Sequence, residues 1–303
     1  MLLSNYSKLF EDNKKTNFMK KYLVNLFWFL RLHEITRYIF QRNKTTIIYY
    51  HDIEPKLFDE HLKYLKKKYS IISLEDYVFN RVSDKKKYRL IITFDDGHIS
   101  NFNLLEVIKK HKINCTIFLV SNLINSRKHF WFKWNLIDSS EKAKLKKLKN
   151  SDREKLLFTN YKFDKEKEQN IAQALNLEQI YQMKEFVSFQ SHTHTHPCLN
   201  KCDNVESNYE IQHSKLTIEF LLKNKVFALA FPNGDFEQKD CDNAKSNKYS
   251  CVLTSKAYYN SYYFKNFELN RLSVNDFSSI KELALRSSGF YFFIKKIINH
   301  VHI

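Results

Sequence analysis

The chain has 303 residues, 50 Lys and Arg against 33 Asp and Glu, and a formal net charge of +17. Only three glycines (Gly97, Gly234, Gly289) and three prolines are present. No G-x-G-x-x-G, G-x-x-x-x-G-K-[ST] or G-x-S-x-G motif can therefore exist, which excludes dinucleotide-binding, P-loop and nucleophile-elbow chemistry. An apolar content of 43% is ample for a packed core and unlike that of a disordered chain.

In chain order, the segment 1–44 opens polar and charged. Its short apolar run Tyr22–Leu30 follows Lys20 and Lys21 and stops at Arg31. Such a run is too short to span a bilayer, and reads as a helix that packs on the domain or lies on a membrane. Residues 45–50 (TTIIYY) read as a buried strand. A helix is predicted over about 57–69, with Phe58, His61, Leu62 and Leu65 on one face. Ile71–Ile72 reads as a short strand, and Ser73 with Asp76 fits a helix start. Residues 88–94 (YRLIITF) form the clearest strand, followed by a helix over 104–110 and a strand over 113–120.

Between 125 and about 185 the pattern changes to charged helical segments without strand signal, read as a helical insertion. Strands return at 186–190, 226–231, 250–253 and 269–274, with a helix over 205–223. Strand–helix alternation predicts an α/β fold with a mainly parallel sheet, barrel-like or open. The simplest partition is one catalytic domain over 45–275 carrying the insertion, then a C-terminal helical segment over 276–303.

In parallel α/β folds chemistry gathers at the C-terminal ends of strands. Strand 88–94 runs into Asp95-Asp96-Gly97, and adjacent carboxylates ending an apolar strand are costly unless something binds them. Strand 186–190 ends in Ser191-His192-Thr193-His194-Thr195-His196-Pro197. His192 and His196 are four apart and would face one way if the segment turned helically. Two imidazoles and a carboxylate make a ligand set with open positions, as in hydrolytic metal centres. The competing readings are a solvated Asp-Asp-Gly turn and a chance His/Thr run. Two further strand ends carry Tyr50-His51-Asp52 and Phe231-Pro232-Asn233-Gly234.

The segments T-F-D-D-G (93–97) and S-H-T-x-x-H-P-x-L (191–199) resemble the first two motifs of the polysaccharide deacetylase family, the chitooligosaccharide-deacetylase homology group. F-P-N-G (231–234) resembles the third motif in degenerate form. Y-Y-H-D-I (49–53) precedes everything, an order that resembles the circularly permuted branch containing poly-N-acetylglucosamine deacetylases. The resemblance covers about residues 45–275 outside the insertion. It implies a distorted (β/α)7-type barrel and metal-dependent hydrolysis of an acetamide on a sugar. It further implies Asp96, His192 and His196 as ligands of a divalent ion, with zinc expected and cobalt, nickel or iron as alternatives. Asp95 would be the general base, His51 the general acid and the Asn233 backbone N–H an oxyanion donor. The arginine that the family's third motif supplies is absent here, where Leu229 and Ala230 stand. Arg271, at a later strand end, is the candidate to replace it. His194 has no matched role.

The expected substrate is an N-acetylated amino sugar of a surface polysaccharide or of its lipid- or nucleotide-linked precursor. Alternatives are a hydrolase of a non-sugar amide, a catalytically silent glycan-binding module, and a basic membrane-associated scaffold. The positive charge is mostly scattered lysine. It reads first as a solvated surface and second as attraction to an anionic membrane. No arginine-rich block or nucleic-acid-binding signature supports a nucleic-acid partner. Five cysteines without a C-x-x-C fit a reducing compartment. The expected location is thus cytoplasmic, with peripheral contact at the inner membrane face.

Overall fold

The computed structural model describes residues 14–83 and 86–301; residues 1–13 of the N-terminal segment and the last two residues of the C-terminal one lie outside that range. Ten strands share one sheet: β1 (Lys44–Tyr50), β2 (Ser70–Ile71), β3 (Tyr88–Phe94), β4 (Cys115–Leu119), β5 (Val187–Ser191), β6 (Ala228–Ala230), β7 (Cys251–Leu253), β8 (Asn260–Ser261), β9 (Glu268–Leu269) and β10 (Leu272–Ser273). The main path runs β10-β1-β3-β4-β5-β6-β7-β9, every pair along it parallel. Strand β2 adds to β3, and β8 lies antiparallel on β1. The result is a nearly closed, distorted (β/α)7-type barrel.

Helices α1 (Lys14–Phe29) and α2 (Leu32–Thr36) precede β1. Helices α3 (Pro55–Lys68), α4 (Leu74–Val78) and α5 (Leu105–His111) follow the early strands. The insertion holds α6 (Ser139–Leu145), α7 (Asn150–Tyr161) and α8 (Leu177–Met183). Helices α9 (Asn204–Leu222) and α10 (Gln238–Ser246) cover the later strands, and α11 (Ile280–Ser287) and α12 (Phe290–Val301) end the chain.

Parallel strands covered on both faces need apolar side chains on both. Every residue of β3 after Tyr88 is accordingly buried, as is every residue of β4. Helix α3 starts on Pro55, whose missing N–H costs nothing in a first turn, and buries Phe58, His61, Leu62 and Leu65. Ser73 caps α4 by accepting from the Asp76 N–H at 2.9 Å, which satisfies an otherwise orphaned donor. The insertion has its own apolar cluster of Trp131, Ile137, Leu145, Leu157 and Phe163. It is tied back to the barrel by a bridge between His98 and Ala174.

One predicted strand is two. The run 269–274 divides into β9, paired with β7, and β10, paired with β1. Only Asn270 and Arg271 lie between the two edges of the sheet. An apolar run does not record a change of pairing partner, so the split is invisible to periodicity.

Candidate active site

The rim at the C-terminal ends of the strands is shaped by left-handed backbone. Asp96 (φ 71°) and Gly97 (φ 70°) turn the chain sharply out of β3. At Gly97 an added Cβ would lie 2.5 Å from a Leu119 methyl carbon, so glycine is required both by the dihedral and by the close approach of β4. The turn buries both carboxylates, leaving Asp95 4% and Asp96 3% exposed.

The histidine segment after β5 is not helical. Thr193 (φ 68°) and His196 (φ 61°) are left-handed, and these reversals, not a helical turn, bring His192 and His196 to one side. Glu210 of α9 holds this loop. One of its oxygens accepts from the His194 and Thr195 N–H groups, each at 2.8 Å, and the other from the Thr195 hydroxyl at 2.6 Å. Burial pushes the Glu210 pKa up against those donors. His194 itself turns away from the cleft, bonded to Ser121 at 2.8 Å and packed edge-on against His213.

Asp96, His192 and His196 each offer a ligand atom, all within 4.8 Å of one another. The Asp96 Oδ1 lies 3.4 Å from His192 Nε2 and 3.2 Å from His196 Nε2. His192 Nδ1 lies 2.8 Å from the Ala230 carbonyl oxygen, which can only accept, so Nδ1 carries the proton. In the neutral ring Nε2 then presents a lone pair toward the carboxylate. Asp96 Oδ1 is buried without a hydrogen-bond partner. Buried acceptors that converge on one another are costly unless a cation lies between them, so these three residues fit a divalent ion of the kind held by imidazole and carboxylate. His98 Nε2 lies 3.1 Å from the second oxygen, Oδ2, leaving Oδ1 to face the imidazoles. Burial opposes ionisation of Asp96, but without an ion, proton sharing with the imidazoles of His192, His196 and His98 outweighs it and holds the Asp96 pKa well below the usual carboxylate range. Burial works against a charged His192 as well, yet the Asp95 and Asp96 charges raise its pKa. Burial also lowers the His196 pKa to about 4, which keeps that ring neutral at ordinary pH.

Asp95 sits beside this cluster in a different environment. Arg271 donates to it through two nitrogens, Nη1 to Oδ1 at 2.6 Å and Nη2 to Oδ2 at 2.9 Å. The guanidinium is itself buried, lies over the Tyr49 ring at 4.4 Å, and donates from Nε to the Thr254 carbonyl at 3.1 Å. Burial raises the Asp95 pKa and the Arg271 charge more than reverses it, so the carboxyl stays below its ordinary value.

Asp95, Asp96, His192, His196, His51 and Asn233 line one cleft of about 400 Å³. Arg271 stands behind its wall. The His51 N–H donates to Asp276 at 3.0 Å, and its carbonyl accepts from Asn101 at 2.8 Å, fixing the ring's backbone from both sides. Asn233 (φ 57°) forms the corner of the turn Pro232–Gly234. The cleft also contains residues that sequence reasoning missed. Phe132, Lys133 and Lys146 come from the insertion, and Asp276 and Phe277 from the loop after β10. Lys146 Nζ donates to the Asn233 side-chain oxygen, and Lys133 pairs with Asp52 at 3.2 Å. Trp131 Nε1 donates to the His196 carbonyl at 3.1 Å. The only hint of these roles was the concentration of aromatic residues at 130–134.

Fold and site together define a parallel barrel with a candidate divalent-metal centre at its strand tips. The family model for polysaccharide deacetylase matches residues 82–252, more than half the chain. This chain belongs to the polysaccharide deacetylase family. Among solved structures, it is similar to the Streptococcus pyogenes deacetylase PplD in complex with acetate (21% identity, covering 81% of this chain and 99% of that one, TM-score 0.59). It is also similar to IcaB from Ammonifex degensii (16%, 82% and 99%, TM-score 0.60) and to a polysaccharide deacetylase from Bacillus cereus (19%, 81% and 69%, TM-score 0.57). No curated protein matches the chain.

Proposed function

We propose that the chain is a metal-dependent N-deacetylase acting on an N-acetylated amino sugar of a surface polysaccharide or of its lipid- or nucleotide-linked precursor. The observation that carries this reading is the convergence of three buried acceptors, from Asp96, His192 and His196, beside a carboxylate clamped by Arg271. A bound divalent ion would polarise the acetamide carbonyl and lower the pKa of water toward ~7. Zinc suits a mixed imidazole and carboxylate set, as do cobalt, nickel or iron.

Asp95 is the general base. Arg271 keeps it ionised and fixes both oxygens, so it accepts the proton of the attacking water without reorienting. In this reading the backbone N–H of Asn233 donates to the oxyanion, an interaction typically worth about 2.7–4 kcal/mol. His51 protonates the departing sugar nitrogen, so the C–N bond breaks to give acetate and a free amine. The order of the motifs, with His51 ahead of Asp95, supports the permuted branch named above.

Acetate release from N-acetylated oligosaccharides by the purified chain tests the proposal. Turnover should vanish with chelator and return with added zinc or cobalt. Asp96→Ala should lose metal, whereas Asp95→Asn should keep it and lose about 10²–10⁴ in turnover. Metal binding without release from any acetylated saccharide would favour the silent glycan-binding module.

A further inference from the structure

Eight large apolar side chains are exposed between residues 22 and 40, among them Tyr22, Phe29, Tyr38 and Ile39, with Phe29 80% exposed. On α1 the exposed Tyr22, Leu26 and Phe29 share the spacing of one helical face, and exposed Leu30 follows directly after the helix. The other side of α1 is already used. Phe27 packs edge-on against Phe290 at 5.2 Å, and Trp28 stacks on His33 at 4.4 Å. Exposed Phe40 meets exposed Phe293 of α12 at 6.0 Å, so the patch continues onto the C-terminal helix. Singly scattered exposed apolar residues need no explanation, but eight large ones between residues 22 and 40, joined through Phe40 and Phe293 to a second helix, mark an interaction site.

The surrounding charge identifies the occupant. Residues 14–50 carry eight Lys or Arg and a single carboxylate, Glu34, which is already paired with Arg31, Arg37 and Lys68; among the other described side chains Lys21, Arg42 and Lys44 are exposed. The stretch 288–303 has two lysines and no acid. A second copy of the chain would bring two such cationic surfaces together, so self-association is disfavoured. Nucleic acid would use the cations but offers nothing to Leu26, Leu30, Ile35 and Ile39. A lipid surface with anionic headgroups satisfies both, hydrocarbon for the apolar face and phosphate for the flanking cations.

We infer that α1, α2 and the start of α12 form a peripheral docking surface for an anionic bilayer. The turn 37–41 leads into the N-terminal end of β1, whereas His51 follows its C-terminal end, about 23 Å away along the strand. The docked chain would hold its cleft toward water. This inference is independent of the hydrolase reading.

Co-sedimentation of the full chain with vesicles tests it. The chain should bind vesicles of phosphatidylglycerol and phosphatidylcholine in equal parts, and not phosphatidylcholine alone. Phe29→Ser with Ile39→Ser should lower partitioning more than tenfold, and Lys21→Glu or Arg42→Glu about fivefold each, all with unchanged melting. Acetate release from a soluble oligosaccharide should be unaffected in these variants. Absence of binding to either vesicle, or equal binding by all variants, would overturn the proposal. So would a dimer in solution that Phe29→Ser dissociates.

Discussion

Arg271 and Asp95 are separated by 176 residues in sequence and joined by two short hydrogen bonds. Removing the guanidinium would leave Asp95 buried without its charge partner, and burial alone raises a carboxyl pKa. The native pKa is depressed, so Asp95 takes up a proton only below the usual carboxylate range, and the proposed base is lost only there. In Arg271→Ala the acid limb of the kcat/KM profile should therefore move to higher pH, with metal content unchanged. Arg271→Lys should restore the limb only in part, since an ammonium cannot make the paired contact. An unmoved limb would remove Arg271 from the base's environment. Glu210 acts one step further back, through the loop that carries His192 and His196. Glu210→Gln would turn one acceptor oxygen into a donor facing donors, and should weaken metal binding about 10–100-fold, measured by competition with a chromogenic chelator. The Asp and His positions were legible because buried charge and clustered imidazole are rare patterns. Glu210 was not, because a glutamate on a charged helix is ordinary until the fold buries it.

The elements themselves were mostly legible. Strand β3 coincides with the run 88–94, and the remaining long strands and α9 lie within a few residues of their predicted spans. Hydrophobic periodicity carries that information because a buried parallel strand must be apolar on both faces. The loops were misread where backbone handedness decides. Helical spacing of His192 and His196 was a wrong reason for a correct convergence, and no pattern signals a left-handed threonine. Helices α6, α7 and α8 fall within the stretch read as a helical insertion, yet the contribution of Phe132, Lys133 and Lys146 to the cleft depends on how that stretch packs. At the N-terminus, the docking of α2 should weaken as pH falls. Burial lowers the His33 pKa to about 4 from an ordinary 6.5. The folded state then binds the proton less tightly than the unfolded chain, so stability should be full above about pH 6.5 and decline as pH falls toward 4. His33→Phe keeps a ring against Trp28 and should flatten that decline in Tm measured across the window. A wild-type Tm insensitive to pH there would contradict the burial argument.

For the molecule as a whole, an ion held by Asp96, His192 and His196 would also be a stability element. Asp96 is remote in sequence from the two histidines, so an ion bound only by the folded state would add stability. At an ion concentration 1,000 times Kd this is about 4 kcal/mol, and chelation should lower Tm accordingly. Asp96→Ala should abolish the difference between chelated and loaded protein. Equal Tm values for the wild-type chain with and without ion would argue against a shared site. The barrel class was readable from strand–helix alternation, but its closure was not, since the two residues that link β9 to β10 look like the middle of a strand.

That link sets the order in which the chain can become competent. The arginine that pairs with Asp95 is delivered by the step from one edge of the sheet to the other, after every strand but β10 has been synthesised. A chain released before residue 271 lacks that arginine, β10 and α11 together. The seam is therefore closed last, and a product cut short of it has neither the guanidinium beside Asp95 nor the strand that pairs with β1.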